Sequence, residues 1–197
     1  MDRVNKNSIL AGMLIGLGVI SNTISENKYI GALLFSLALL AIIDMKLQLY
    51  TGQIGFCLEK KNPFEYYFLI LLYNSFGSSI SILLAITTTN NDNTLSNKFV
   101  DIANYKFSRS YLTLFACGLL CGVLIFVAVY SKNIIVIILC IMTFILCGYE
   151  HCIADMPFLV LNFSIQNFIK EILIILGNSI GSIMTYWLIR HKKLIKS

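Results

Sequence analysis

The chain has 197 residues, of which 57% are hydrophobic and 13% charged, with a mean hydropathy of +0.79; soluble domains are roughly 45–50% apolar and roughly 25% charged. A membrane-crossing helix needs about 20 mostly apolar residues, so this length holds about six of them and leaves no room for a soluble catalytic domain. The net charge of +5 sits mainly at the chain ends, where basic residues set topology, and nucleic acid is excluded as a partner. With two prolines there is no Pro-rich linker, and no small-residue cleavage site follows the first apolar stretch, so the N-terminus is expected to be retained. Cys57, Cys117, Cys121, Cys140, Cys147 and Cys152 all lie in apolar runs without a Cys-x-x-Cys pair. They read as small buried hydrophobes, with no metal and no cofactor expected.

In chain order, the first predicted span is about Ser8 to Thr23, closed by Ser25, Glu26, Asn27 and Lys28. The second runs from Tyr29 to about Leu58, too long for one crossing and interrupted by Asp44, Lys46, Gln48, Thr51, Gly52 and Gln53. Pro63 opens a third, about Phe64 to Thr87, at a helix start where its missing N–H costs nothing. Asn90 to Asn104 reads as a polar loop. The fourth span is about Ser108 to Tyr130; the fifth, about Ile134 to Asn162, is again overlong and broken by Gly148, Glu150, His151, Asp155 and Pro157; the sixth is about Ile172 to Ile189. The result is a single all-α integral membrane domain over residues 1–197.

Six spans put both termini on one side. Arg3, Lys6, Lys60, Lys61, Lys132, Arg190, Lys192, Lys193 and Lys196 then face Lys28, Lys98, Lys106, Arg109 and Lys170, and this excess predicts cytoplasmic termini.

The two halves are alike. Gly12-x-x-x-Gly16 answers Gly118-x-x-x-Gly122, the break at Tyr50-Thr51-Gly52 answers Tyr149-Glu150-His151, and Asn74-x-x-Gly77 answers Asn178-x-x-Gly181. An odd number of spans per half forces opposite insertion, so an inverted 3+3 repeat is expected, with repeat one about 8–89 and repeat two about 108–190. Spans two and five would be broken around a path near the bilayer centre. The Gly-x-x-x-Gly pairs read as close helix contacts. Backbone leaves the helix within a membrane only where protein or a water-filled cavity satisfies it, and ionisable side chains there are costly enough to be functional candidates. Glu150 and His151 lead that group. His151 can also be read as tying down the broken segment, and Asp44, Lys46 and Asp155 carry weaker signals.

Gly148-Tyr149-Glu150-His151-Cys152-Ile153-Ala154-Asp155-Met156 resembles the Gly-Phe-Glu-His-x-Ile-Ala-Asn-Met signature of formate/nitrite transporters, channels for small monovalent anions that include hydrosulfide channels. Leu49-Tyr50-Thr51-Gly52 is similar to that family's Leu-Phe-Thr-Gly loop, Cys121 with Leu124 to Tyr130 is similar to its fourth-span segment, and both Asn-x-x-Gly motifs recur. The resemblance runs from about Ala11 to Arg190. It implies an aquaporin-like fold and a homopentamer with one pore per protomer in a bacterial cytoplasmic membrane. It further implies His151 as the central pore histidine, Thr51 as its hydroxyl partner, constrictions at Phe35, Leu39, Leu49, Tyr50 and Phe144, and Lys106 as the lysine that draws anions into a vestibule.

The family's fourth-span asparagine is Gly122 here, its last signature asparagine is Asp155, and an acidic residue before the Leu-Phe-Thr string is Gln48. An ionised Asp155 in the path would repel anions unless it faces away, pairs with a cation such as Lys46, or is neutral. The family's long amphipathic N-terminal segment has no counterpart, so gating by it is not expected. The expected function is a channel for formate, nitrite, hydrosulfide or acetate, with proton coupling at His151. The alternatives are a channel of the same fold that has moved to a neutral solute or lost anion transport, and a membrane enzyme using Glu150 and His151 as acid and base.

Overall fold

The computed structural model describes residues 2–59, 63–88 and 93–194, and among them every regular element is helical. In order these are α1 (Asp2–Ile24), α2 (Lys28–Asp44), α3 (Tyr50–Gln53) continued by a 3₁₀ turn (Ile54–Glu59), α4 (Pro63–Thr87), α5 (Thr94–Ser108), α6 (Tyr111–Ser131), α7 (Ile134–Leu146), α8 (Cys152–Leu161) and α9 (Ile165–Leu194). Among the described residues α1, α4, α6 and α9 contain stretches long and apolar enough to cross a membrane. Lys60, Lys61 and Lys196, counted for orientation, and Asn90 at the start of the expected loop lie outside the described residues.

Matching signals start and stop the two interrupted helices. Asn27 Oδ1 accepts from the N–H groups of Tyr29 and Ile30, and Asn133 Oδ1 accepts from those of Ile135 and Val136, which satisfies amide donors that a helix start leaves unpaired. Downstream, α2 ends with Lys46 at φ 54° and α7 with Gly148 at φ +68°. The next N–H reaches back five residues in each case, Leu47 to the Ile42 carbonyl and Tyr149 to the Phe144 carbonyl, both at 2.9 Å. This left-handed closure turns the chain sharply and caps the last carbonyls. Glycine adopts it without strain at 148, whereas Lys46 holds it with a Cβ.

The bundle is apolar on its outer surface, and its largely apolar interior also buries a set of polar side chains. Leu37, Phe64, Leu112, Ile135, Ile165 and Trp187 are exposed, while Ser8, Thr51, Asn74, Ser78, Asn178 and Ser182 are buried. That distribution suits a lipid surround and a hydrogen-bonded centre. Helix α1 packs along α4 and α6 along α9. At Gly12 a side chain would run into the Asn74 backbone, and at Gly122 into the carbonyl of Asn178. The small-residue spacing therefore sets helix contact, as its sequence suggests.

Several sequence expectations change. The stretch expected to be a loop holds helix α5, whose buried Phe99, Ala103 and Phe107 recur every four residues. Leu95 and Ile102 pack beside that stripe, and Ser96, Asn97, Lys98, Asp101, Asn104, Lys106 and Ser108 lower the average over the helix, so its mean hydropathy hides the apolar face. The last helix begins at Ile165 rather than near Ile172: Ile165, Phe168 and Ile169 continue its apolar run past the charged pair Lys170 and Glu171, which is buried within it. Cys121 and Cys152 are buried as expected, but Cys147 is exposed.

Candidate functional site

The two turns deliver the N-termini of α3 and α8 to the centre of the bundle. Asn74 Oδ1 accepts the Tyr50 N–H at 2.8 Å, while its Nδ2 donates to the Ser8 and Gln48 carbonyls at 2.7 and 2.8 Å. Asn178 repeats the pattern, accepting from Cys152 N–H at 2.9 Å and donating to the Gly118 and Glu150 carbonyls at 2.8 Å. One amide thus ties a long helix, a turn and a short helix together, using its acceptor and both donors.

Two serines that the sequence reading passed over add cross-braces. Ser78 Oγ donates to the Ile153 carbonyl at 2.8 Å, and Ser182 Oγ contacts the Thr51 carbonyl at 3.3 Å and the Gly122 carbonyl at 3.1 Å. The Ile153 carbonyl needs the hydroxyl because its helical partner four residues on is Pro157, which has no N–H. Both serines directly follow the Asn-x-x-Gly motifs, a signal present in the sequence.

His151 caps α8. Its Nδ1 accepts the Ala154 N–H at 3.1 Å, and its Nε2 lies 2.8 Å from Thr51 Oγ1. An accepting Nδ1 carries no hydrogen, so the neutral ring holds its proton on Nε2 and donates it to Thr51. Phe144 stacks on the imidazole at 6.0 Å between centroids, and Phe35 meets Phe144 edge-on at 5.6 Å.

A cavity of about 410 Å³ opens onto this ring and is lined by Phe35, Phe144, Lys106, Glu150, His151 and Asp155 among others. A second, of about 280 Å³, touches Ile42, Lys46, Leu49, Gly52 and Lys132. Phe35 belongs to the first and Ile42 to the second, about 10 Å apart along α2 at 1.5 Å per residue. Leu39, fully buried, lies between them on the same helix. Thr51 and Tyr50 line neither cavity; the Tyr50 hydroxyl is 2.8 Å from Ser179 Oγ on α9. Gly122 also lines neither, since its open side faces the Asn178 backbone, so its change from asparagine removes no polar group from a cavity wall.

The charged wall of the larger cavity departs from expectation. Asp155 does not pair with Lys46, which is exposed; Asp155 Oδ1 receives a hydrogen bond from Lys106 Nζ at 2.6 Å. Lys106 also pairs with Glu150, lies 5.0 Å from the Phe158 ring centre and is 15% exposed. The second cation is Arg109, which sequence reading had used only for orientation. It pairs with Glu150 and donates to the Gly148 carbonyl at 3.1 Å, clamping the turn that carries His151. Two cations therefore face two carboxylates, and the wall is formally balanced.

An apolar helical bundle with a hydrogen-bonded centre, two interrupted helices and a charged cavity leading to it defines an integral membrane transport protein. The chain belongs to the formate/nitrite transporter family: the family model described as Formate/nitrite transporter matches residues 1–192. This is a family of small-anion transport proteins and not of enzymes, which removes the acid–base enzyme reading. The structure is similar to a pentameric formate channel with formate bound, at TM-score 0.79 and 24% identity, over 95% of this chain and 96% of that one. It is also similar to an FNT family ion channel, at TM-score 0.80 and 21% identity, over 93% and 88%. At these identities the likeness concerns the fold. No curated protein matches the chain.

Proposed function

We propose that the chain is a channel for small monovalent weak-acid anions of the formate, nitrite, hydrosulfide or acetate class, working as a homopentamer with one path per protomer. The reading treats residues 1–197 as one membrane domain of six spans, an aquaporin-like inverted repeat of about 8–89 and 108–190, set in a bacterial cytoplasmic membrane with both termini inside. It is supported by the paired turns, the paired asparagines and the likeness to a pentameric formate channel.

The observation that carries the reading is the contact between His151 and Thr51, each at the start of a short helix drawn from a different half of the chain. The path runs from the larger cavity past Phe35 and Phe144, through the contact between Thr51 and His151 flanked by Leu39, to the smaller cavity at Leu49. Tyr50, held by Ser179, supports the constriction from behind. Apolar walls select against strongly hydrated ions, and the amide ends of α3 and α8 favour negative charge. An arriving anion takes the Nε2–H of His151 in place of Thr51, whose hydroxyl is then free to donate to the same anion.

Proton coupling at His151 follows a defined order. The neutral ring has one N–H, and giving it up outright would leave an imidazolate. The ring serves as an acid only after Nδ1 has lost the Ala154 N–H and taken a proton. Until then it serves as a hydrogen-bond donor. Proteoliposome swelling with formate, nitrite, hydrosulfide and acetate beside neutral urea and glycerol tests the proposal. Swelling by the anions alone is expected; swelling by the neutral solutes alone, or by none, overturns it. A native mass near five times 22.2 kDa, after correction for detergent, is expected for the assembly.

A further inference from the structure

Glu171 belongs to no part of the path described above. It sits in α9 with 1% of its surface exposed, and neither carboxyl oxygen has a hydrogen-bond partner. Its neighbour on the same helix, Lys170, is turned away, donating to the Phe107 carbonyl and lying 5.3 Å from the Tyr111 ring centre. Helix α8, which carries Cys152 and Asp155, packs on α9, and the Phe107 carbonyl that holds Lys170 directly follows Lys106 in α5, so the fields of Asp155 and Lys106 reach Glu171. Helix α6 contributes Cys117 and Cys121 to this region, and the 3₁₀ turn meets α9 far away, at Tyr186. Asp155 itself leaves Oδ2 buried and unpartnered, while Oδ1 takes Lys106, which already serves Glu150.

An isolated carboxylate in such a place is far costlier than a carboxylic acid, and a second carboxylate alongside adds repulsion. We propose that Glu171 is a proton-binding site behind the cavity wall, whose occupancy sets the charge that an entering anion meets. With the proton bound, Lys106 and Arg109 balance Glu150 and Asp155 and the wall is neutral. With the proton lost to solvent, the O–H bond of Glu171 breaks, its electron pair stays on the carboxylate, and the wall carries one net negative charge that repels anions. Anion entry is thus favoured on the acid side by a residue that the anion never touches.

This inference rests on the anion-channel reading, and the experiment separates the two. Formate uptake is measured in phosphatidylcholine/phosphatidylglycerol proteoliposomes between about pH 6 and about pH 8 for the wild-type protein and Glu171→Gln, with empty vesicles subtracted. The ratio of variant to wild type cancels the protonation of formate itself. The expected ratio is near one at the acid end and rises about tenfold at the alkaline end, the effect on anion entry of one unit charge set behind the wall at an effective dielectric near 20; a ratio independent of pH overturns the proposal. Glu171→Leu, also neutral, reads the same ratio should the glutamine variant fail to fold. In parallel, infrared spectra of the wild type at about pH 6 should contain a carboxylic acid carbonyl band that E171Q lacks, and a band unchanged in the variant overturns the site. Wild-type vesicles that pass no formate at any pH overturn the channel reading instead, while the infrared measurement still decides the proton site.

Discussion

His151 Nε2 and Thr51 Oγ1 lie 2.8 Å apart, joining the first turns of two short helices that enter the bundle from different halves of the chain. Each residue is buried, and Thr51 Oγ1 accepts the one N–H of the neutral imidazole. Replacing Thr51 by valine keeps its shape but leaves the imidazole N–H without an acceptor. Because an arriving anion takes that N–H in any case, what valine removes from the anion is the Thr51 hydroxyl as a second donor, a hydrogen bond to a charged group worth about 1.5 kcal/mol or more, so Thr51→Val is expected to lower formate flux about tenfold, and Thr51→Ser to restore most of it. Stopped-flow light scattering on proteoliposomes measures both.

Asp155 offsets one of the two cations on the cavity wall. Asp155→Asn keeps a hydrogen-bond acceptor for Lys106 and removes the charge. A unit charge at about 8 Å and an effective dielectric near 20 is worth about 2 kcal/mol, part of which salt screens. Anion flux is expected to rise by up to about 30-fold at low ionic strength, where screening is slight, with a smaller rise at high salt. A variant whose flux is unchanged or lower at both ionic strengths would mean that Asp155 does not oppose anion entry.

Asn178 makes three hydrogen bonds, to Cys152, Gly118 and Glu150, and all are buried or partly so. Asn178→Ala orphans a donor and two acceptors and should destabilise the protein by about 3–5 kcal/mol, several times one net hydrogen bond. Asn74→Ala should cost a similar amount. Thermal unfolding in detergent, followed by far-ultraviolet circular dichroism, gives the comparison.

Ser78 and Pro157 form a testable couple through the Ile153 carbonyl. Ser78→Ala alone removes the carbonyl's partner, at a cost of about 1–3 kcal/mol. Pro157→Ala supplies an N–H four residues on, so the double variant should lose less than the sum of the two, by about 1 kcal/mol. Strict additivity in the thermal unfolding cycle would show that the serine and the proline act independently.

Much of this arrangement was legible. The residues interrupting two overlong apolar runs mark the turns, Gly148 among them, and the Asn-x-x-Gly pairs mark matching positions in the two halves, while the left-handed stop and the bracing role of the asparagines are seen only in the fold. Lys46 gave no sign of that stop, because a lysine in left-handed geometry is held by its surroundings rather than by its own preference. Helix α5 was missed because hydropathy averages over a stripe and its polar flanks. Glu171 was missed through a boundary: with the last span drawn from Ile172, the glutamate fell just outside it. A start at Ile165 makes it an ionisable residue within an apolar helix, which asks for an explanation. Arg109, one turn from Lys106 in sequence, was counted for orientation only, since nothing local tells a clamp from a membrane-surface cation.

The serine braces bear on how the protein is made. Ser78 holds a carbonyl of α8, and Ser182 holds one of α3, so neither short helix is held by its own half of the chain alone. As synthesis proceeds from the N-terminus, α3 and Thr51 enter the bilayer before His151 and Ser182 exist. The central passage is therefore assembled last, after α9 has been inserted. A chain truncated before α9 should reach the membrane with its first helices formed and its passage unmade.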